Sequence, residues 1–349
     1  MRFAAAPEYQ VFPTRERPLK PYQAAVRAAA ETRALVEEVE PDVVVADILT
    51  IAAGLAAQLA GAPWVTLVPH VLPTGEPGFP PYAIGARLPR TRAGALAWRS
   101  LDPLLRGGVE KGRTELNGAR RRVGLAPVDH VHGGISRELA IVATFPQLEY
   151  PRHADPWVTV TGPLMWEQPY GDTEPPPGDD PLVLVAPSTA QDPEQRMLRA
   201  ALEGLAGEPV RVLASTNRRA PPVPIEVPGN ARLVDWISYA RAMPRCDMVV
   251  CHGGHGTLVR ALACGVPVVA CPAGGDMAEN ASRLVWAGAG VSVPRRFISP
   301  RGLRLAVREV LSGGAYAERA RELREWAERN DGATIASEAL ESYLAARVG

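Results

Sequence analysis

Short β-branched runs recur along the chain, each followed by a helix-forming stretch, and this alternation restricts the fold more than any other feature. DVVVAD (Asp42 to Asp47) is apolar without a polar face, as a strand buried on both sides of a parallel sheet must be. TIAAGLAAQLAG follows it as a helix and WVTLVP (Trp64 to Pro69) as the next strand, a βαβ unit with short connections. Upstream, YQAAVRAAAETRALVEEVE reads as a helix with Val26, Ala29, Ala30, Leu35, Val36 and Val39 near one face, stopped by Pro41. ELAIVATFPQLEYP and WVTVTGPLM supply closing strands for this first series. Between Val71 and about Arg137, Pro and Gly clusters break the pattern, so irregular substrate-facing loops and helices are expected, with a basic helical stretch near Glu115 to Gly124.

Trp166 to Asp180 is polar, proline-rich and aperiodic, the composition of an interdomain linker. A second series then opens with LVLVAP. It continues through a helix from Pro193 to Ala206, VRVLAS, ARLVDW, DMVVCH, a helix Thr257 to Cys264, VPVVACP, a helix Glu279 to Ala287, and terminal helices to Leu344. At 349 residues, two cores are expected. The reading is α/β, two doubly wound domains: residues 1–165, a linker 166–180, a second domain 181–330, and a terminal helix in 331–349 packing back towards the first domain.

Thirty-eight basic residues balance 38 acidic ones, which gives no electrostatic footprint for nucleic acid or an anionic membrane. A small ligand is expected. Cys246, Cys251, Cys264 and Cys271 lack both C-x-x-C spacing and a disulfide framework, as fits reduced thiols in a cytosolic protein. The N-terminal residues lack the pattern of a signal peptide, and Ile51 to Pro69 is interrupted by Gln58, Gly61 and Pro63, so neither export nor integral membrane contact is expected.

In an open parallel sheet, ligands bind beyond the carboxyl ends of the strands, where helix N-termini present free N–H groups. Each of four strands in the second series ends in polar or glycine-rich residues: Ser188 and Thr189, Trp236, His252, and Gly274 to Asp276. CHGGHGT, Cys251 to Thr257, is the most informative. A β-run meets Gly253, Gly254 and Gly256, and a helix opens at or near Thr257, so a diphosphate can lie on its N-terminus with His252 and Thr257 as donors. The same residues also fit a tight turn with a satisfied histidine, Trp236 a plain core role, and Asp276 or Asp47 a helix cap.

HGGHGTLVRALACGVPVVACPAGGDMAENASRLVWAGAG, preceded by the tryptophan of DWISYARAMPRCD, resembles the donor site of the two-domain (GT-B) glycosyltransferases that decorate natural products, the group of the macrolide and UDP-glucuronosyl transferases. The resemblance is strong over about Pro181 to Gly290 and runs more weakly back to Pro41. It implies two Rossmann-like domains facing each other and a sugar moved, with inversion, from a UDP- or TDP-sugar to a hydroxyl of a small, largely apolar acceptor. It implies that Trp236 stacks the base, that backbone at Ile237 pairs with its edge, and that Ser188, Thr189, His252, Gly254, Gly256 and Thr257 hold the diphosphate. Asp276, with Met277 beside it, would bind sugar hydroxyls. Two positions depart from the family: Arg260 stands where a ribose-binding Glu is usual, and Met277 where Gln is usual. Arg cannot accept from hydroxyls, so the nucleotide preference stays open.

The family's base is a His on the first strand-to-helix loop, oriented by an Asp whose position Asp47 matches; that His is absent before Asp47. The resemblance therefore implies an incomplete first domain, with roughly 60 residues, two β-α steps, missing from its start. His70, at the end of WVTLVP, is the nearest substitute and fits the acceptor pocket better; His130, His132 and His153 lie in loops without partner spacing. No metal or other cofactor is expected, since Cys251, His252, His255, Cys264 and Cys271 lack the paired spacing of zinc sites. A catalytically impaired sugar-nucleotide binder or partner subunit, or a sugar-nucleotide epimerase of the same fold, are the competing readings. A nicotinamide dehydrogenase fails for want of G-x-G-x-x-G after a strand.

Overall fold

The computed structural model describes residues 23–130, 135–153, 155–168, 170–188, 192 and 194–348. Thr189, His132 and the MRFAAAP segment lie outside these. The chain forms two parallel sheets. The first comprises β1 (Val44–Asp47), β2 (Trp64–Val68), β3 (Ala140–Val142) and β4 (Val158–Val160) in the order 1-2-3-4. The second holds β5 (Leu182–Ala186), β6 (Arg211–Ser215), β7 (Ala231–Val234), β8 (Met248–Cys251), β9 (Val268–Ala270) and β10 (Gly290–Ser292), ordered 10-9-8-5-6-7. Counted from β5, this is the 3-2-1-4-5-6 order of a dinucleotide-binding sheet, with its switch point between β5 and β8.

Helices complete the layers. α1 (Gln23–Val39) packs on α2 (Ile51–Ala60), and α2 meets the first sheet where Gly54 lies against the Trp64 ring; a Cβ there would stand 2.7 Å from it. In the second sheet the all-apolar β5 feeds both faces. Leu182, Leu184 and Ala186 join a cluster with α6 (His255–Ala263), α7 (Asp276–Ala287) and α9 (Gly314–Arg329). Val183 and Val185 face α4 (Arg196–Leu205) and α8 (Pro300–Ser312). The short α5 (Tyr239–Ala242) connects β7 to β8. The last helix, α10 (Gly332–Val348), returns to the first sheet, where Ala336, Leu340 and Tyr343 pack on Val65, Leu139 and Ile141. Tyr343 and Arg347 both bond Glu138.

Three expectations need correction. Within the stretch expected to hold irregular loops and helices, a single long helix, α3 (Arg92–Arg122), runs for 31 residues with Pro103 inside it and Thr91 capping Gly94 N–H at 3.1 Å. Pro103, Gly107 and Gly108 hid its periodicity. On α1, Ala28, Ala29 and Val36 are buried, but Leu35 and Val39 are exposed, so the apolar face is narrower than the pattern suggested. The sixth strand of the second sheet, β10, was not foreseen: it is three residues long and begins at Gly290, where a Cβ would fall 1.9 Å from the Val268 carbonyl.

The two sheets meet over a mixed interface. Phe145, Leu148 and Val71 from the first half belong to the same apolar cluster as β5, β8 and α6. Beside them lies a buried ionic network. Arg283 of α7 pairs with Glu279 at 2.8 Å and with Glu149 at 3.5 Å, donates to the Leu148 carbonyl, and caps the Tyr150 ring with its guanidinium 3.4 Å from the centroid. Ala83 N–H donates to Glu279 at 3.2 Å, and His255 Nε2 donates to the Ala143 carbonyl at 3.3 Å.

Candidate functional site

The β8–α6 turn is built so that its backbone is left available. β8 ends at Cys251, and Gly253 turns the chain with φ +80°, a conformation that suits glycine. Gly253 also lies so close to α7 that a Cβ would meet the Met277 carbonyl at 3.0 Å, while its own carbonyl accepts from Asn280 Nδ2 at 3.1 Å. Gly254 has an ordinary φ of −63°, so its backbone makes no demand for glycine. Its neighbour does: the His252 ring covers it, and a Cβ would stand 2.3 Å from Nε2.

α6 begins at His255, two residues before the expected start at Thr257, because the Gly254 carbonyl already accepts from Leu258 N–H at 3.0 Å. His255, Gly256 and Thr257 are thus the first three residues, whose N–H groups have no partner within a helix. The N-cap is Gly254, which has no side chain with which to cap this end. α7 opens the same way at Gly275, again without a side-chain cap, so two positive helix ends lie at adjacent strand ends.

His252 Nδ1 lies 3.3 Å from the Ala186 carbonyl at the end of β5, tying β8 to β5 across the switch point. A carbonyl only accepts, so Nδ1 carries the proton. Burial holds this imidazole below the usual histidine range, with the Ala186 bond and Asp276 opposing that shift. Ser188 follows β5 and is buried. Asp276, first in α7, accepts from Asn280 Nδ2 at 3.3 Å. His255 faces away from the turn into the interface, and burial lowers its pKa to about 4.

Trp236 stands two residues beyond β7, three strand spacings from β8, or about 14 Å. Its indole carries the Arg218 guanidinium 4.6 Å from the ring centroid and meets Tyr170 edge-on at 6.3 Å. Arg218 and Asn217 hold φ values of +58° and +51°, and the turn is pinned by Asn217 Nδ2 donating to the Pro187 carbonyl at 2.6 Å. Ile237 is buried in the core behind this platform.

Ser188, His252, Gly254, Gly256, Thr257, Asp276 and Met277 gather at the β5, β8 and β9 ends, and Trp236 and Ile237 at β7. Asp47 and His70 belong to the first sheet. Asp47 ends β1, and its Oδ1 accepts from Leu49 N–H at 2.7 Å, a local turn bond before α2. His70 is buried after β2, with Nδ1 at 2.8 Å from the Val71 carbonyl and 3.3 Å from the Tyr82 hydroxyl. The Tyr82 hydroxyl is pushed far up by burial and by Asp276 and Glu279. Sequence reading missed Asn217, Arg218, Tyr170 and Asn280. Only the position of Asn217 and Arg218 just past a strand end could have marked them. Among the described residues no three His, Cys, Asp or Glu side chains converge as a metal-ligand set, and no helix is long and apolar enough to cross a membrane.

Two parallel α/β sheets, with glycine-led helix ends and an aromatic platform on the second, make up the GT-B architecture. Residues 199–339 match the erythromycin biosynthesis protein CIII-like C-terminal domain. The chain is 31% identical over 324 residues to 4'-demethylrebeccamycin synthase of Lentzea aerocolonigenes, covering 89% of this chain and 76% of that protein. Its fold matches the kitacinnamycin glycotransferase (TM-score 0.74, 22% identity, 92% of this chain and 80% of that one) and glycosyltransferase VinC in complex with dTDP (TM-score 0.64, 16% identity, 92% and 80%). The chain belongs to the natural-product glycosyltransferase family and is a glycosyltransferase.

Proposed function

We propose that the chain moves a sugar from a UDP- or TDP-sugar to a hydroxyl of a small, largely apolar acceptor, with inversion at the anomeric carbon. The observation that carries this is the pairing of an α6 N-terminus entered through Gly254 and His252 at the β5–β8 switch with an indole about 14 Å along the same sheet edge. That spacing suits a nucleoside diphosphate with its base at Trp236 and its phosphates on the first N–H groups of α6. Ser188 adds a hydroxyl from β5, Thr189 and Thr257 are further hydroxyl donors, and Ile237 offers backbone to the base edge. Asp276 and Met277 at the start of α7 take the sugar, and Asp47 and His70 at the strand ends of the first sheet face the acceptor side. As the anomeric bond to the diphosphate breaks, negative charge grows on the leaving oxygen, and preorganised N–H dipoles stabilise it. The dTDP seen in the VinC structure supports a nucleoside diphosphate here. The reading calls for no metal.

Titration calorimetry with UDP and dTDP tests this reading. One of the two should bind, and Trp236→Ala or His252→Ala should each weaken it about ten- to a hundredfold, as loss of a stacking contact or a charge-assisted bond implies. Absence of binding by both nucleotides overturns it.

A further inference from the structure

A carboxylate that does not belong to the second sheet joins α5, which follows Trp236, to α6, which opens at the diphosphate cradle. Glu167 comes from the segment joining the two halves. Its Oε2 accepts from Ala240 N–H at 3.0 Å, four residues after Trp236, and lies 3.7 Å from Arg260 Nε. Arg260 is fixed in turn by donating to the Trp166 carbonyl at 3.1 Å. Its position on α6 is one turn beyond Gly256 on the same face, so it flanks the helix end assigned to the phosphates. Glu167 Oε1 is buried and has no hydrogen-bond partner. A carboxylate oxygen can only accept, and leaving it unsatisfied away from water is costly, so the site wants a donor.

In a nucleoside diphosphate the pentose is what lies between base and phosphates, and its hydroxyls are donors. We propose that Glu167 accepts the ribose hydroxyls of the donor nucleotide, with Arg260 as a positioning residue that holds the carboxylate in place; this rests on the donor-site reading above. The linker thereby supplies an acceptor at the place where α6 carries a cation, and Trp166 and Glu167 become part of the nucleotide site.

The test compares uridine diphosphate with its 2′,3′-dideoxy analogue by calorimetry on the full chain. Wild type should prefer uridine diphosphate by about tenfold or more, the scale of a hydrogen bond to a charged group. Glu167→Gln should cut that preference to within about twofold while leaving affinity for the dideoxy analogue unchanged, which also shows that the variant is folded. Arg260→Met should reduce the preference, and Arg260→Lys should restore part of it. Equal binding of both nucleotides to wild type, or an unaltered preference in Glu167→Gln, overturns the ribose assignment and leaves the donor site standing. Failure of wild type to bind uridine diphosphate or its analogue overturns the ribose assignment, and failure to bind dTDP as well overturns the donor site with it.

Discussion

The state of one imidazole links the free site to the occupied one. His252 Nδ1–H donates to the Ala186 carbonyl, so in the neutral ring Nε2 presents a lone pair where a phosphate oxygen would arrive. Burial keeps the free ring's pKa below 6.5. A bound diphosphate raises it, since opposite charge favours the imidazolium. Between the lowered free value and the raised bound one, binding takes up a proton. Affinity therefore falls as pH rises through that window, by at most about tenfold per pH unit. Calorimetry at pH 7 in two buffers of different ionisation enthalpy would count that proton, and His252→Asn should abolish the uptake. A count of zero in wild type contradicts this account.

At the scale of the element, the β8–α6 turn has glycines for two different reasons. Gly253 needs its positive φ, whereas Gly254 needs only to be small beneath His252. Gly254→Ala should thus weaken nucleotide binding about tenfold by displacing the ring, yet change nothing in a His252→Ala background; the double-mutant cycle reads the coupling directly. Additive losses would refute it. The sequence revealed this turn because apolar run, glycines and helix former sit side by side. It revealed β5 and β8 for a similar reason, since strands buried on both faces are written in continuous Val and Leu. It did not reveal α3, whose Pro103, Gly107 and Gly108 mimic a loop and interrupt the helical period. Nor could it reveal Arg218 on Trp236 or Glu167 beside Arg260. Those pairs join residues 18 and 93 positions apart, and only the sheet order brings them together.

At the scale of the whole molecule, the halves are fastened by groups that depend on staying dry. His255 bridges α6 to the end of β3 and has a pKa of about 4 because burial disfavours its charge. The unfolded ring titrates near 6.5, so the folded protein binds fewer protons between those values. Its contribution is whole above pH 6.5 and is lost as pH falls towards 4, an order of magnitude of about 3 kcal/mol. Denaturant unfolding at pH 7.5 and 4.5 should show wild type losing more stability than His255→Gln over this interval. Equal losses would show that the ring is hydrated when folded.

The path of the chain between halves has one more mechanical outcome. It leaves the first sheet past Gly162 and comes back through Gly332 at the start of α10, and there the two passages touch: a Cβ on Gly332 would strike the Pro163 carbonyl at 2.7 Å and the Gly162 carbonyl at 3.0 Å. Trp326 lies against Gly162 as well, where a Cβ would stand 3.0 Å from its ring. Both covalent crossings thus share one pivot, so opening of the mouth between the sheets must swing about that point like a jaw, and bulk added at either glycine would act on the angle of the bite.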